Sequence, residues 1–219
     1  MSASYRDLAT RLEDCYAAAV HDVLRAMGHD RCVLPPEIRS LDPKQKLAGE
    51  IWTVSGHLDP SLDPHATLLA WTGLLSKAPA GKIVVCQPNN HEIALMGELS
   101  AETLHFRGVK GYLADGGCRD TDFILKLGFP VYCSFLTPKD VVGRWVPDTF
   151  GEPVTIGDVL IRSGDWLLAD RDGVVVIPGD IVEEVVTKTE AAVQTENRVR
   201  TAILQGVDPQ QAYLKYGKF

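Results

Sequence analysis

Arg119 and Asp120 lie side by side in the segment 113–123, LADGGCRDTDF, just after a pair of glycines. Arginine presents a planar fork of N–H donors that matches a carboxylate, and carboxylate oxygens are preferred ligands of Mg²⁺. A turn that carries both groups can hold a small anionic substrate and a metal ion together. The alternative interpretation is that Asp120 only caps the helix that follows and that Arg119 is a surface cation. The segment by itself leaves both interpretations open.

A second glycine turn, MGELS at residues 96–100, also comes before a helix-like segment. The first N–H groups of a helix have no partner within the helix and attract carboxylates or phosphates. We therefore predict a small anion bound by these N–H groups and by the Arg119 fork. Asp120, beside it, is placed to hold a divalent cation such as Mg²⁺. The predicted substrate-binding residues of this turn are Gly97, Glu98, Leu99 and Ser100.

Alternating strands and helices position these two turns. From residue 80 to 135 the predicted order is β-α-β-α-β, which favours parallel strands joined by crossover helices. Such folds bind ligands at the carboxyl ends of their strands, and adjacent parallel strands would bring the two turns together there. The predicted elements are helix 4–28, strand 47–56, helix 63–78, strand 80–88, helix 97–108, strand 109–117, helix 121–128 and strand 129–135.

The C-terminal third of the chain changes character. Residues 152–178 contain β-rich pieces separated by Gly-Asp turns, which predict antiparallel hairpins, and residues 179–205 predict a long polar helix. No segment has the composition of a linker. The fold class predicted from the residues is therefore α/β, as one compact domain over residues 1–219 with an N-terminal helix and a C-terminal helix and tail.

Composition narrows the class of protein. The 219 residues are 45% hydrophobic and 23% charged, with a formal net charge of −7 and no basic run, which argues against nucleic acid as a partner. The polar start and the absence of a long apolar run predict neither a signal peptide nor a membrane anchor. Five cysteines are scattered without a CxxC pair. That pattern predicts reduced thiols in a cytoplasmic protein rather than a disulfide frame.

Several motifs together resemble a known family. The sequence is similar to the class II pyruvate aldolases of the 4-hydroxy-4-methyl-2-oxoglutarate aldolase type, whose fold the RraA regulators of ribonuclease E share. The resemblance implies a three-layer β/β/α swivelling domain, assembled as a homotrimer or homohexamer with active sites between subunits. It also implies cleavage of carbon–carbon bonds next to a pyruvoyl unit with Mg²⁺ or Mn²⁺, and oxaloacetate decarboxylation. The motifs are GEL (97–99), GVKGYLADGGCRD (108–120), LGFPVY (127–132) and GDWLLADRDGVVVIP (164–178).

The resemblance also implies roles for individual residues. Arg119 would bind the pyruvyl oxygens, Asp120 would be the direct metal ligand, and the N–H groups of the second turn would bind the carboxylate. Glu98 matches an acidic position near the waters of the metal. Glu196, in QTENRVR, matches an acidic residue that a neighbouring subunit offers to the site. Where the family commonly has an acidic residue three positions after its aspartate, this chain has Phe123, which indicates a divergent substrate.

Three further residues bear on the chemistry. His91 is either a pocket residue that helps to select the leaving part of the substrate or a histidine of a surface loop. A Schiff-base mechanism needs a lysine in an apolar pocket, and neither Lys110 nor Lys126 has a sequence context that provides one. The proton of the substrate hydroxyl is instead expected to leave to a water oriented by Glu98 or Glu196.

The sequence therefore predicts a divalent-metal-dependent lyase that acts on a small 2-oxo acid through a pyruvate enolate. The alternative is a non-catalytic protein of the RraA kind that docks on a ribonuclease or helicase. A regulator does not need an acidic residue after Gly97 or an aspartate in the Arg-Asp pair. This chain has both, as Glu98 and Asp120, which favours catalysis.

Overall fold

A computed structural model describes residues 3–218, with side chains from residue 8 onward. Met1, Ser2 and Phe219, which the predicted domain 1–219 includes, lie outside the described residues. The helices are α1 (Ala3–Asp14), α2 (Ala17–Ala26), α3 (Pro64–Lys77), α4 (Glu98–Phe106), α5 (Thr121–Leu127), α6 (Val182–Leu204) and α7 (Pro209–Tyr216). The strands are β1 (Arg39–Ser40), β2 (Leu47–Leu58), β3 (Ile83–Gln87), β4 (Gly111–Cys118), β5 (Val131–Leu136), β6 (Trp145–Phe150), β7 (Val154–Ile156), β8 (Val159–Ile161), β9 (Trp166–Ala169) and β10 (Val174–Ile177).

The main sheet has the order β1-β5-β4-β3-β2-β9-β10, and β6 pairs with β2 beside this path. Strands β2, β3, β4 and β5 run parallel to one another, while β9 and β10 continue the sheet in antiparallel pairing. Strand β3 reads as an apolar run because both of its faces are covered. The predicted parallel strands and crossover helices between residues 80 and 135 are confirmed.

The two faces of the sheet are covered by different elements. Helices α3, α4 and α5 pack on one face through a core that includes Trp71, Leu104 and Ile124. The opposite face packs against the β7–β8 hairpin and against inward side chains of β9 and β10. Helices α1, α2 and α6 cover the outer side of β9 and β10. This arrangement confirms the α/β fold class and its β/β/α layering.

The prediction of one helix over residues 4–28 is wrong, because the chain breaks between α1 and α2 at Cys15 and Tyr16. Both helix ends at the break are capped from far away in the sequence. Lys46 donates from Nζ to the carbonyl oxygen of Cys15 at 2.7 Å, and the Asp170 carboxylate accepts the N–H of Ala17 at 2.8 Å. These partners stabilise two helix ends where the apolar spacing alone predicts continuity.

Strand β6 shapes the edge of the sheet where the parallel strands end. It pairs antiparallel with the end of β2, although Pro147 lies within it. Trp145 is fully buried and donates from Nε1 to the carbonyl oxygen of Pro88 at 2.9 Å. This contact fixes the start of β6 against the loop after β3. None of the helices within residues 3–218 has the length and apolar character needed to cross a bilayer.

Candidate active site

The two glycine turns meet at the carboxyl ends of β3 and β4, as the parallel pairing predicts. The segment 93–96 lies along the end of β4 and is held there by backbone hydrogen bonds. Gly117 N donates to Ile93 O at 3.0 Å, Leu95 N donates to Gly117 O at 2.8 Å, and Arg119 N donates to Met96 O at 2.9 Å. The start of α4 therefore lies beside Arg119 and Asp120.

A side chain at either glycine turn would meet close contacts within the protein. A Cβ on Gly97 would lie 2.7 Å from Oδ2 of Asp120 and 3.2 Å from Nε of Arg119. A Cβ on Gly117 would lie 2.7 Å from the carbonyl oxygen of Ile93. At Gly117 the nearest atom thus belongs to the backbone of a neighbouring loop. At Gly97 the nearest atoms belong to the side chains of Asp120 and Arg119.

Asp120 has a backbone conformation that is rare for residues other than glycine. Its φ is 55° and its ψ 34°, a left-handed region that aspartate and asparagine tolerate better than most residues. Its side chain accepts no hydrogen bond from the first turn of α5 and instead accepts the N–H of Glu98 through Oδ2 at 3.2 Å. The interpretation of Asp120 as only a helix cap is therefore wrong, and its carboxylate faces the start of α4.

Arg119 lies between two carboxylates. Its Nε is 3.4 Å from Oδ2 of Asp120, and its Nη1 is 3.3 Å from Oδ2 of Asp140. Asp140 also pairs through Oδ1 with Nη1 of Arg144 at 2.9 Å. The sequence signal that points to Asp140 is its place just beyond β5, the last of the four parallel strands to end at this edge. Asp140 thereby orients the Arg119 guanidinium across the cleft.

These residues line a cleft of about 450 Å³, within the roughly 300–1,000 Å³ typical of small-molecule pockets. All six predicted residues of the two turns line it: Gly97, Glu98, Leu99, Ser100, Arg119 and Asp120. Trp71 of α3 also lines the cleft and donates from Nε1 to Oγ of Ser100 at 3.0 Å. The structure thus brings the predicted anion-binding turn and the Arg-Asp pair into one cleft.

Two predicted site residues lie elsewhere in this chain. His91 is outside the set of described residues that line the cleft, and its Nε2 pairs with Oδ1 of Asp115 at 2.9 Å. Glu196 lies on α6, where it accepts a hydrogen bond from the Tyr16 hydroxyl and lies 3.2 Å from Nζ of Lys218. Burial and the hydrogen bond to Glu196 raise the pKa of Tyr16 to about 12. A role for Glu196 in the cleft therefore requires a neighbouring subunit and stays a prediction.

Phe123 stands where the resemblance predicts an acidic residue, so this position contributes no carboxylate. Phe123 is 52% exposed on α5, and Nζ of Lys126 lies 5.4 Å from the centre of its ring. Asp122 is exposed and is not among the described residues of the cleft. Lys110 donates to the carbonyl oxygen of Ala48 at 2.9 Å. Neither Lys110 nor Lys126 is among the described residues that line the cleft, so neither is placed for Schiff-base chemistry there.

Cys118 comes directly before Arg119 but is not placed to act as a nucleophile. Its side chain is fully buried. A hydrogen bond with Cys133 and burial together raise the pKa of the Cys118 thiol. A thiol with a raised pKa is a poor nucleophile because little thiolate forms near neutral pH. Cys118 therefore packs beneath the turn as a small buried side chain.

A family model described as RraA-like, Aldolase/RraA, matches residues 17–176. The chain belongs to the Aldolase/RraA family. The matched range contains every element of the cleft, whereas Glu196 lies beyond it. The family match therefore covers the two glycine turns. It does not support the assignment of Glu196 to the site.

Relatives within the Aldolase/RraA family carry different names. Protein DlpA of Legionella pneumophila subsp. pneumophila is 29% identical over 96% of this chain, which spans only 34% of the length of DlpA. A Halalkalibacterium halodurans protein named "putative 4-hydroxy-4-methyl-2-oxoglutarate aldolase" is 26% identical over 98% of this chain and 97% of its own length. The structure of Streptomyces coelicolor RraAS2, described as an unusual member of the RNase ES inhibitor RraA protein family, aligns with a TM-score of 0.78. That alignment has 26% identity and covers 89% of this chain and 96% of RraAS2.

The Aldolase/RraA cleft of this chain has donors that fit a hard divalent cation. Within residues 3–218 no group of three or more His, Cys, Asp and Glu side chains forms a ready metal cage. Mg²⁺ and similar ions, however, commonly use one or two carboxylates and complete their shell with water and substrate oxygens. Oδ1 of Asp120 and the Glu98 carboxylate face this cleft without a hydrogen-bond partner in the described part of the chain. The residues present therefore fit such an ion, with Asp120 as a candidate ligand and Glu98 in the lining of the same cleft.

Proposed function

We propose that this chain is a metal-dependent lyase that cleaves a carbon–carbon bond of a small 2-oxo acid through a pyruvate enolate. The observation that carries the proposal is the convergence of Arg119, Asp120 and Glu98 at the start of α4 within one cleft. The proposed reactions are retro-aldol cleavage of the 4-hydroxy-4-methyl-2-oxoglutarate type and decarboxylation of oxaloacetate. The proposed cofactor is Mg²⁺ or Mn²⁺, held by Asp120.

Each group in the cleft has a distinct task in this proposal. The N–H groups of Leu99 and Ser100, in the first turn of α4, have no partner within the helix and bind the substrate carboxylate. A bound divalent cation supplies Lewis acidity toward the keto and carboxylate oxygens of the substrate. In this proposal the Arg119 guanidinium stabilises the negative charge that develops on the enolate oxygen. Because Asp140 and Asp120 fix the Arg119 fork, little reorganisation is needed as the charge forms.

The retro-aldol step balances with the groups present. The 4-hydroxyl loses its proton to a water that Glu98 orients, the C3–C4 bond breaks, and C4 becomes a carbonyl carbon. The electron pair of the broken bond moves into the enolate of pyruvate, which then takes a proton at C3. Oxaloacetate needs no proton abstraction: the bond from C3 to its C4 carboxylate breaks, CO₂ leaves, and the electron pair of that bond forms the same enolate. We further propose a homotrimer or homohexamer, in which Glu196 of a neighbouring subunit completes the site.

A second candidate function is regulation through binding to a ribonuclease or helicase. The likeness to RraAS2 and the presence of Phe123 at a commonly acidic position favour it. The carboxylates of Asp120 and Glu98, which a purely docking protein does not need, favour the lyase.

The deciding experiment measures pyruvate release from oxaloacetate and from 4-hydroxy-4-methyl-2-oxoglutarate. The purified protein is assayed with Mg²⁺ or Mn²⁺ and again after chelation, against a metal-only background. We expect pyruvate formation above the background that disappears on chelation and returns when metal is restored. A folded protein that releases no pyruvate from either substrate and binds no metal would favour the regulator instead.

Substitution of Gly97 by alanine tests the close packing of the two turns. The backbone of Gly97 is extended, with φ −148°, so alanine fits the backbone, but its Cβ would press on the Asp120 carboxylate. Since a misplacement of about 1 Å can cost roughly a hundredfold in rate, we expect kcat/KM for oxaloacetate to fall about 10- to 100-fold. The measurement is steady-state kinetics, together with the thermal midpoint, which should change by only a few degrees.

Gly73→Ala is the matched control for this substitution. A Cβ on Gly73 would meet no atom within 4 Å, and alanine is favoured in a helix. We expect its kcat/KM to equal that of the unsubstituted protein. Equal kinetics for Gly97→Ala would show that the position of the Asp120 carboxylate does not matter for turnover.

A further inference from the structure

The cleft of the proposed lyase has two unlike halves. Its polar half contains the charged side chains already described, Glu98, Arg119, Asp120 and Asp140. The apolar half, called the wall, is formed by α3 and by Val141 and Val142, which directly follow Asp140 in the segment after β5. Its side chains are mostly apolar: Leu68, Trp71, Leu75, Val141 and Val142. A pyruvyl unit held at the polar half leaves the C4 substituent of the substrate against this wall.

The polar atoms of the wall are already used inside the protein. Thr72 donates from Oγ1 to the carbonyl oxygen of Leu68 at 2.9 Å, and Trp71 donates from Nε1 to Ser100. Thr103, at the rim, donates from Oγ1 to the carbonyl oxygen of Leu99 at 2.7 Å. Their hydrogens are therefore not available to a substrate, and the wall presents hydrocarbon to the C4 substituent.

The charges of the cleft disfavour a second substrate carboxylate. Among the described residues that line the cleft, Arg119 is the only cation, and it stands against three carboxylates. Asp120 and Asp140 already lie 3.4 Å and 3.3 Å from its guanidinium nitrogens. The pyruvyl oxygens would accept hydrogen bonds from the remaining N–H groups of the Arg119 guanidinium. A distal carboxylate would then lose water against an apolar wall without gaining a cation of this chain as a partner, which is costly.

From this asymmetry we infer that the protein selects 4-hydroxy-2-oxo acids whose C4 substituent is apolar, releasing pyruvate and an apolar aldehyde or ketone. The inference rests on the proposed function and gives that function a substrate class. It differs from the dicarboxylate in the name of the Halalkalibacterium halodurans relative. Oxaloacetate remains a substrate, because the carboxylate that it places near the wall leaves as uncharged CO₂.

The test compares two substrates that share the pyruvyl unit and differ only at C4. These are 4-hydroxy-2-oxohexanoate, which yields pyruvate and propanal, and 4-hydroxy-2-oxoglutarate, which yields pyruvate and glyoxylate. We expect kcat/KM to be at least about tenfold higher for the hexanoate, as a hydrophobic pocket typically discriminates. Oxaloacetate, with and without chelator, reports separately on the enolate chemistry.

The outcomes separate the inference from the proposed function. Chelator-sensitive cleavage of oxaloacetate with a preference for the glutarate would overturn the inference and leave the proposed function standing. Release of pyruvate from none of the three substrates would overturn both. A preference for the hexanoate supports both.

A cation added to the wall should offset the preference. Leu68 lines the cleft, whereas the adjacent Leu69 is 66% exposed and is not among the described lining residues. We expect Leu68→Arg to raise kcat/KM for the glutarate relative to the hexanoate about tenfold, because the new guanidinium pairs with the distal carboxylate. Leu69→Arg carries the same added charge and should leave this ratio unchanged. An equal change in both variants would mean that long-range charge, and not the wall, sets the preference.

Discussion

Replacement of Asp120 by asparagine is expected to lower metal-dependent pyruvate release roughly a hundred- to a thousandfold, because the Lewis acid loses its anionic ligand. Asparagine keeps the shape of the side chain and tolerates the left-handed conformation at φ 55°. Alanine would add backbone strain at this position and confuse a loss of chemistry with a loss of stability. The measurements are kcat/KM for oxaloacetate at several Mn²⁺ concentrations and the affinity for Mn²⁺ by calorimetric titration.

Asp122→Asn is the control for this substitution. It removes the same charge two residues away, from an exposed side chain outside the described lining of the cleft. Its activity and Mn²⁺ affinity should match those of the unsubstituted protein. Full activity of Asp120→Asn at limiting Mn²⁺ would refute Asp120 as the metal ligand.

Replacement of Arg119 by lysine should lower kcat/KM for oxaloacetate about a hundredfold while leaving the affinity for Mn²⁺ within a few-fold. A lysine ammonium keeps the charge but is a compact point charge. It cannot span Asp120 and Asp140 and also present a fork to the pyruvyl oxygens. The split between activity and metal affinity is the informative result, because the loss of a metal ligand lowers both.

Arg107→Lys provides the comparison for an arginine outside the cleft. Arg107 follows α4 and donates to the carbonyl oxygen of Ser76. Its replacement should change stability slightly and leave kcat/KM unaltered. Unchanged kinetics for Arg119→Lys would show that only the positive charge of Arg119 is used.

The part of the fold that positions the cleft could be predicted from the sequence because its signals are local. Strands β3, β4 and β5 are apolar runs bounded by Gly and Pro, and the helices between them have clear ends. The break between α1 and α2 could not be predicted, since Lys46 and Asp170 cap those helices from distant positions. Strand β6 contains a proline that argues against a strand, and pairing with the edge of β2 overrides it.

The candidate site likewise has features that local sequence signals predict and features that depend on long-range contacts. The turns at Gly97 and at Arg119 and Asp120 are visible as residue types next to predicted strand ends. The left-handed backbone of Asp120 and the hydrogen bond from Glu98 are tertiary features that no local pattern encodes. Asp140 enters the cleft only because its loop folds back over the sheet edge. Contacts between segments distant in sequence thus decided which charged residues share the cleft.

The backbone hydrogen bonds between residues 93–96 and the end of β4 constrain how this protein can diversify. They fix the reacting end of the cleft through main-chain atoms, which side-chain substitutions leave in place. The wall that meets the rest of the substrate belongs to α3 and to residues 141–142, which contribute nothing to those bonds. If the proposed function holds, substitutions at exposed wall positions such as Leu68 can change which substrates are accepted while the main-chain arrangement of the two turns persists.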